Sequence, residues 1–179
     1  MVNAAIDLLK ARLGITEVVL AGQSGGGTLV ANIVPRRSDV KCAVMGSGAV
    51  ALLQFASRFV APDVYEKWED PVQIARQIVN VSTSFYVIAG EGDRRRPPEY
   101  QRLSAQALVD KGLKVRFALI RKPGDPQGVV AETVRTADSC GQDQDPDLRD
   151  AIALGENVPL PYTRTIRPVG SSHPAEYQP

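Results

Sequence analysis

The feature that most constrains this chain is the run Gly22-Gln23-Ser24-Gly25-Gly26-Gly27, set between two apolar segments. Glu17 to Ala21 is rich in β-branched residues and bounded by glycine, which predicts a short buried strand. Thr28 to Val34 reads as a helix until Pro35. A strand that turns into a helix within so few residues brings backbone against backbone, and side chains at the flanking positions would clash. The glycines around Ser24 therefore specify a tight strand-to-helix turn.

The rest of the chain repeats that alternation. Val2, Ala5, Ile6, Leu9 and Leu13 have helical spacing, with Gly14 as the stop. Val40 to Met45 is a second apolar run, and Ala49 to Phe59 again has helical spacing. Phe85 to Ala89 predicts a third strand, Glu99 to Lys111 an amphipathic helix ending at Gly112, and Leu113 to Ile120 a fourth strand with the partial alternation of an outer strand. Val129 to Ala137 predicts a last helix. Strands alternating with helices imply a mostly parallel sheet with right-handed crossovers and flanking helices, the α/β class. The segment from Ala61 to Asp70 reads as a surface excursion.

Two units follow: residues 1–140 as the α/β part and 141–179 as a tail. The tail has six prolines, scattered charges and no sustained period, so it reads as mostly irregular, with one short helix over Asp147 to Leu154.

Composition narrows the function classes. With 21 basic and 20 acidic residues, neither sign is in excess, so nothing points to nucleic acid or an anionic membrane as partner. No run of eighteen apolar residues exists and Asp7, Lys10 and Arg12 interrupt the N-terminal segment, so neither a transmembrane helix nor a signal peptide is expected. Two cysteines, Cys42 and Cys140, with a single histidine cannot supply a four-ligand zinc site, and they read as two ordinary thiols. No metal and no cofactor is expected. The glycine run lacks both the Gly-x-Gly-x-x-Gly spacing of a dinucleotide fingerprint and the lysine of a phosphate loop, which leaves nucleotide binding as a minor reading.

Gly22-Gln23-Ser24-Gly25-Gly26 matches Gly-x-Ser-x-Gly in its strand-to-helix context, the nucleophile elbow. Ser24 is the candidate nucleophile, and the backbone N–H of Gly25 the candidate oxyanion donor. An acid partner belongs on a loop after a later strand. Gly90-Glu91-Gly92-Asp93, closed by Pro97 and Pro98, places Asp93 there, with Glu91 as runner-up. The competing reading makes Asp93 a turn residue that bonds its own loop backbone. Arg94, Arg95 and Arg96 read as a solvated surface.

These residues together resemble a known family. The glycine run, Asp70-Pro71 ahead of the Phe85 strand, and Gly90-Glu91-Gly92-Asp93-Arg94-Arg95-Arg96-Pro97-Pro98-Glu99-Tyr100 before a helix and the Lys114 to Ile120 strand resemble α/β-hydrolases of the prolyl-oligopeptidase and dienelactone-hydrolase type. The resemblance covers about residues 1–140. It implies a partial α/β-hydrolase fold without the family's N-terminal strands, one of whose loops supplies a second oxyanion donor. It also implies an unpaired edge beside the elbow strand and exposed apolar helix faces, hence association through that edge.

The family's third site member is a histidine in a His-Gly pair after the last strand, and here Gln127-Gly128 takes that place. Glutamine is no general base. The one histidine, His173, lies in the tail and is expected to be solvated. The resemblance thus implies a serine hydrolase acting on a small-molecule ester or peptide substrate through Ser24, with a degenerate base position at Gln127. The other reading is a non-catalytic hydrolase remnant that binds a ligand or a protein.

Overall fold

The structure, a computed structural model, describes residues 1–48, 70–75, 77–78, 82–121, 126–144 and 151–152. The elements in chain order are α1 (Val2–Leu13), β1 (Val18–Gln23), α2 (Gly25–Ile33), a single 3-10 turn (Val34–Arg36), β2 (Val40–Gly46), α3 (Pro71–Ala75), β3 (Ser84–Gly90), α4 (Pro98–Asp110), β4 (Lys114–Ile120), α5 (Pro126–Gly141) and β5 (Ala151–Ile152). The strands stand in the order β1-β2-β3-β4-β5. The first four are parallel. Crossovers that join neighbouring parallel strands leave all four C-terminal ends, with their loops, at one edge of the sheet.

Alternation along the central strands sorts side chains to two faces. Ala43 and Met45 of β2 and Phe85, Val87 and Ala89 of β3 enter one core, where Val30 of α2, Ala75 of α3 and Ala105 and Leu108 of α4 meet them. The residues between, Cys42, Val44, Tyr86 and Ile88, enter a second core against Val129 and Cys140 of α5. Burial on both faces explains why β2, apart from Lys41, and β3 read as largely apolar runs.

All four expected strands are present, each within about two residues of its expected bounds. Helix α2 begins at Gly25 rather than Thr28, because the glycines themselves continue the helix. Helix α5 is longer than expected at both ends. Three expectations are corrected. Strand β4 is not the outer strand, because Phe117 and Ala118 pair antiparallel with Ile152 and Ala151. That pairing also replaces helix by strand at two residues of the stretch Asp147 to Leu154. Cys42 and Cys140 are joined in a disulfide rather than standing as free thiols. They are 98 positions apart in sequence, and only the passage of α5 over β2 brings them together. The expected helix at Ala49 to Phe59, residues 61–69 and His173 lie outside the described residues.

Helix α1 is held by charge rather than by apolar packing. It has no buried residue. Its Asn3, Ile6 and Lys10 side is partly covered, while Leu8, Leu9 and Leu13 are 69%, 56% and 65% exposed. Arg37 forms a bidentate pair with Asp39 at 2.8 and 2.6 Å and reaches Asp7 of α1 at 2.6 Å. Lys10 of α1 closes the cluster on Asp39. Strand β1 pairs only with β2 among the described residues, which agrees with the expected free edge, and the outward leucines of α1 agree with the expected exposed apolar helix face.

The Arg37 guanidinium, with Lys10 beside it, holds the Asp39 carboxyl well below the usual carboxylate range. A depressed folded-state pKa contributes stability that is complete above the unfolded value of about 4 and is lost as pH falls below it. Asp39→Asn is therefore expected to cost roughly 1–2 kcal/mol at neutral pH, a magnitude between those of exposed and buried pairs. Denaturant titrations at pH 7 and pH 3 should show that difference narrowing at pH 3, whereas a constant difference would remove the ion pair as its cause.

Candidate active site

The site begins at the end of β1, where Ser24 caps α2 with φ 52° and ψ −117°. A positive φ is uncommon for a residue with a side chain and costs of order 1–3 kcal/mol. Backbone bonds hold it: the Ser24 N–H donates to the Gly46 carbonyl at 2.7 Å, and the Ser24 carbonyl accepts from the Thr28 N–H at 3.1 Å. The serine is exposed at the C-terminal edge of the sheet. Gly25 and Gly26, the first residues of α2, have open space around them, and their N–H groups lie in the turn where helix donors have no intrahelical acceptor.

The glycines of the motif differ in what they do. A Cβ on Gly22 would overlap the Gly26 carbonyl, and one on Gly27 would press on the Gly48 Cα at 3.0 Å. A Cβ on Gly46, at the end of β2, would collide with the side chains of Thr133 and Gln23. Thus Gly46, Ser47 and Gly48 belong to the elbow, although sequence reasoning did not single them out. Ser47 is buried, has φ 44° and donates its N–H to the Ile88 carbonyl at 2.8 Å. The available signal was a second Gly-Ser-Gly run directly after an apolar strand.

Asp93 lies on the loop after β3, half-buried, at the same sheet edge. Its Oδ1 accepts the N–H groups of Arg95 and Arg96, each at 2.9 Å, and its own N–H donates to the Gly90 carbonyl at 3.2 Å. The turn geometry weighed as an alternative is therefore present, and it also orients the carboxylate. Gln101 of α4, fully buried, donates from Nε2 to the Arg96 carbonyl at 2.7 Å and pins the loop from below. Arg94 and Arg95 are exposed, as a solvated surface requires, whereas Arg96 is half-buried, which corrects the expectation at that residue. Glu91 is exposed, and its N–H ties the loop to the Ile120 carbonyl of β4 at 2.9 Å.

The register puts Ser24 level with Ser47 and Ala89, two strand spacings from the strand that carries Asp93. Two spacings are roughly 10 Å, well beyond a hydrogen bond, so a third group must stand between the two side chains for them to act together. Gln127 sits exposed in the first turn of α5, on the connection that leaves β4 at this edge. Among the described residues no base is in hydrogen-bond contact with the Ser24 hydroxyl, and no group of His, Cys, Asp and Glu side chains is placed to hold a metal ion.

No family model matches the sequence, and no curated protein is significantly similar to it. Solved structures are similar in fold. An acylaminoacyl peptidase in complex with Z-Gly-Gly-Phe-chloromethyl ketone superposes with a TM-score of 0.61 at 16% identity, over 86% of this chain and 28% of that one. Two structures of the Pyrococcus horikoshii acylaminoacyl peptidase, an orthorhombic crystal form and the uncomplexed protein, superpose with TM-scores of 0.54 and 0.50 at 17% identity, over 69% and 66% of this chain and 23% and 22% of theirs. The chain spans about a quarter of the length of these structures, and it has part of an α/β-hydrolase fold.

Glycines at the elbow should answer unequally to alanine. Gly22→Ala is expected to cost roughly 2–4 kcal/mol because the overlap is with backbone. Gly26→Ala, helical and in open space, is expected to be neutral or to stabilise by up to about 1 kcal/mol. Thermal melts of the two variants check this, and equal effects would contradict the strand-to-helix contact described.

Proposed function

We propose that the chain is a serine hydrolase of the α/β-hydrolase type, acting on ester or peptide bonds with Ser24 as nucleophile. The observation that carries the proposal is the strained, exposed conformation of Ser24 between the end of β1 and the start of α2. In the reaction the Ser24 Oγ attacks the acyl carbon, its proton passes to a base, and the alcohol or amine leaves. Water then releases the acyl group by the same route. The Gly25 N–H at the head of α2 would face the oxyanion. Asp93, oriented by the Arg95 and Arg96 amides, would hold and stabilise a cationic base between itself and Ser24.

The weak member is the base. Glutamine at position 127 takes up no proton, and loss of a triad histidine costs on the order of 10⁶ in kcat. The proposal therefore assigns this chain an intact nucleophile turn and acid loop with low turnover. A second reading, a non-catalytic hydrolase-like binding module, is favoured by the same glutamine.

Supplying the base separates them. Under the first reading, Gln127→His should raise hydrolysis of an aryl ester by about 10²-fold or more, since a positioned general base is worth that much. The gain should vanish when Ser24→Ala is added. A folded Gln127→His protein that shows no gain would favour the binding module.

A further inference from the structure

The two faces of the sheet are covered unequally. The first core draws on α2, α3 and α4. In the second, every helical residue comes from α5, among the described residues. The inward stripe of α5 is poor in apolar contact: Val129 and Cys140 are buried, but Glu132, Thr133 and Thr136 are buried with them. Thr133 turns its hydroxyl back to the Val129 carbonyl at 2.7 Å, Glu132 is occupied by Arg135, and among the described residues the Thr136 hydroxyl has no hydrogen-bond partner. The side chains of that stripe themselves add little apolar burial beyond the sheet residues they cover, and among the described residues one polar group is uncompensated. What ties α5 to the sheet covalently is the bond from Cys140, at its last turn, to Cys42 of β2, with Cα atoms 6.5 Å apart as disulfides require.

We propose that the Cys42–Cys140 bond is a redox gate on the seating of α5. With the bond formed, α5 lies on the sheet and carries Gln127 to the edge where Ser24 and Asp93 stand. With both thiols reduced, α5 lifts while the other face of the sheet keeps its helices. Closure oxidises two thiols to one disulfide; two electrons and two protons pass to an incoming disulfide such as oxidised glutathione, which leaves as two thiols. Reopening is the reverse exchange with a dithiol. Because Cys42 and Cys140 are only 2% and 4% exposed, the dithiol reaches them after local opening of α5. The seated state thus belongs to an oxidising compartment. The gate concerns the fold and stands whether or not Ser24 is catalytic.

Hydrogen exchange on the full chain tests this, comparing protein refolded with oxidised glutathione, the same protein in dithiothreitol, and the double variant Cys42→Ala, Cys140→Ala. In the reduced protein and in the variant, amides of residues 129–140 are expected to exchange about tenfold faster or more. Amides of β3, α4 and β4 should be unchanged. Equal protection of α5 in all three samples would overturn the gate. So would two titratable thiols in the glutathione-treated protein, or loss of protection across the whole sheet on reduction.

Discussion

Direct contact between backbone segments beneath Ser24 is the constraint on which the site depends. Gly22 lies against Gly26, and Gly27 against Gly48, so β1, α2 and the end of β2 approach more closely than any side chain would allow. That approach lets the Ser24 N–H reach the Gly46 carbonyl and keeps the serine at positive φ. The conformational cost is of order 1–3 kcal/mol and persists only because the surrounding strands over-determine the turn. Everything chemical proposed for the chain requires this crossing, because it is what exposes a serine at the head of a helix.

The central sheet sets the remaining geometry. Parallel strands in the order β1, β2, β3, β4 put the loops that follow them side by side, so Ser24, Ser47, Asp93 and Gln127 share one edge although they are spread over a hundred residues of sequence. The two sides of that sheet are stabilised by different means. One has a core of aliphatic residues with Phe85 and Phe117 under three helices; the other has a smaller core around Val44, Tyr86 and Ile88 under α5, with two buried threonines and a disulfide. Helix α1 is a third case, attached through Arg37, Asp39 and Lys10 with its leucines outward.

Legibility in the sequence followed how local each signal was. The strands and the elbow were readable because β-branched runs and glycines act on their immediate neighbours. The loop that carries Asp93 was readable from its place after a strand, though the two amides that orient its carboxylate were not. The roles of Gly46, Ser47 and Gly48 depend on contacts with Gly27 and Ser24 some twenty residues earlier, and a short Gly-Ser-Gly run says nothing about what lies opposite. The Cys42–Cys140 pairing failed for the same reason, since only the path of α5 over β2 makes two distant cysteines neighbours. The outer position expected of β4 came from its alternating polarity, which a two-residue partner strand does not alter.

As the proposed nucleophile, Ser24 differs from an ordinary residue of a structural turn in its reactivity once a base is supplied. Exposure of the whole chain carrying Gln127→His to a fluorophosphonate, followed by peptide mapping of the adduct, decides between the two. A single adduct on Ser24, formed faster than on other serines and absent when Ser24→Ala is added, is expected. A folded Gln127→His protein with no adduct, or with adducts scattered over exposed serines, would rule the nucleophile out.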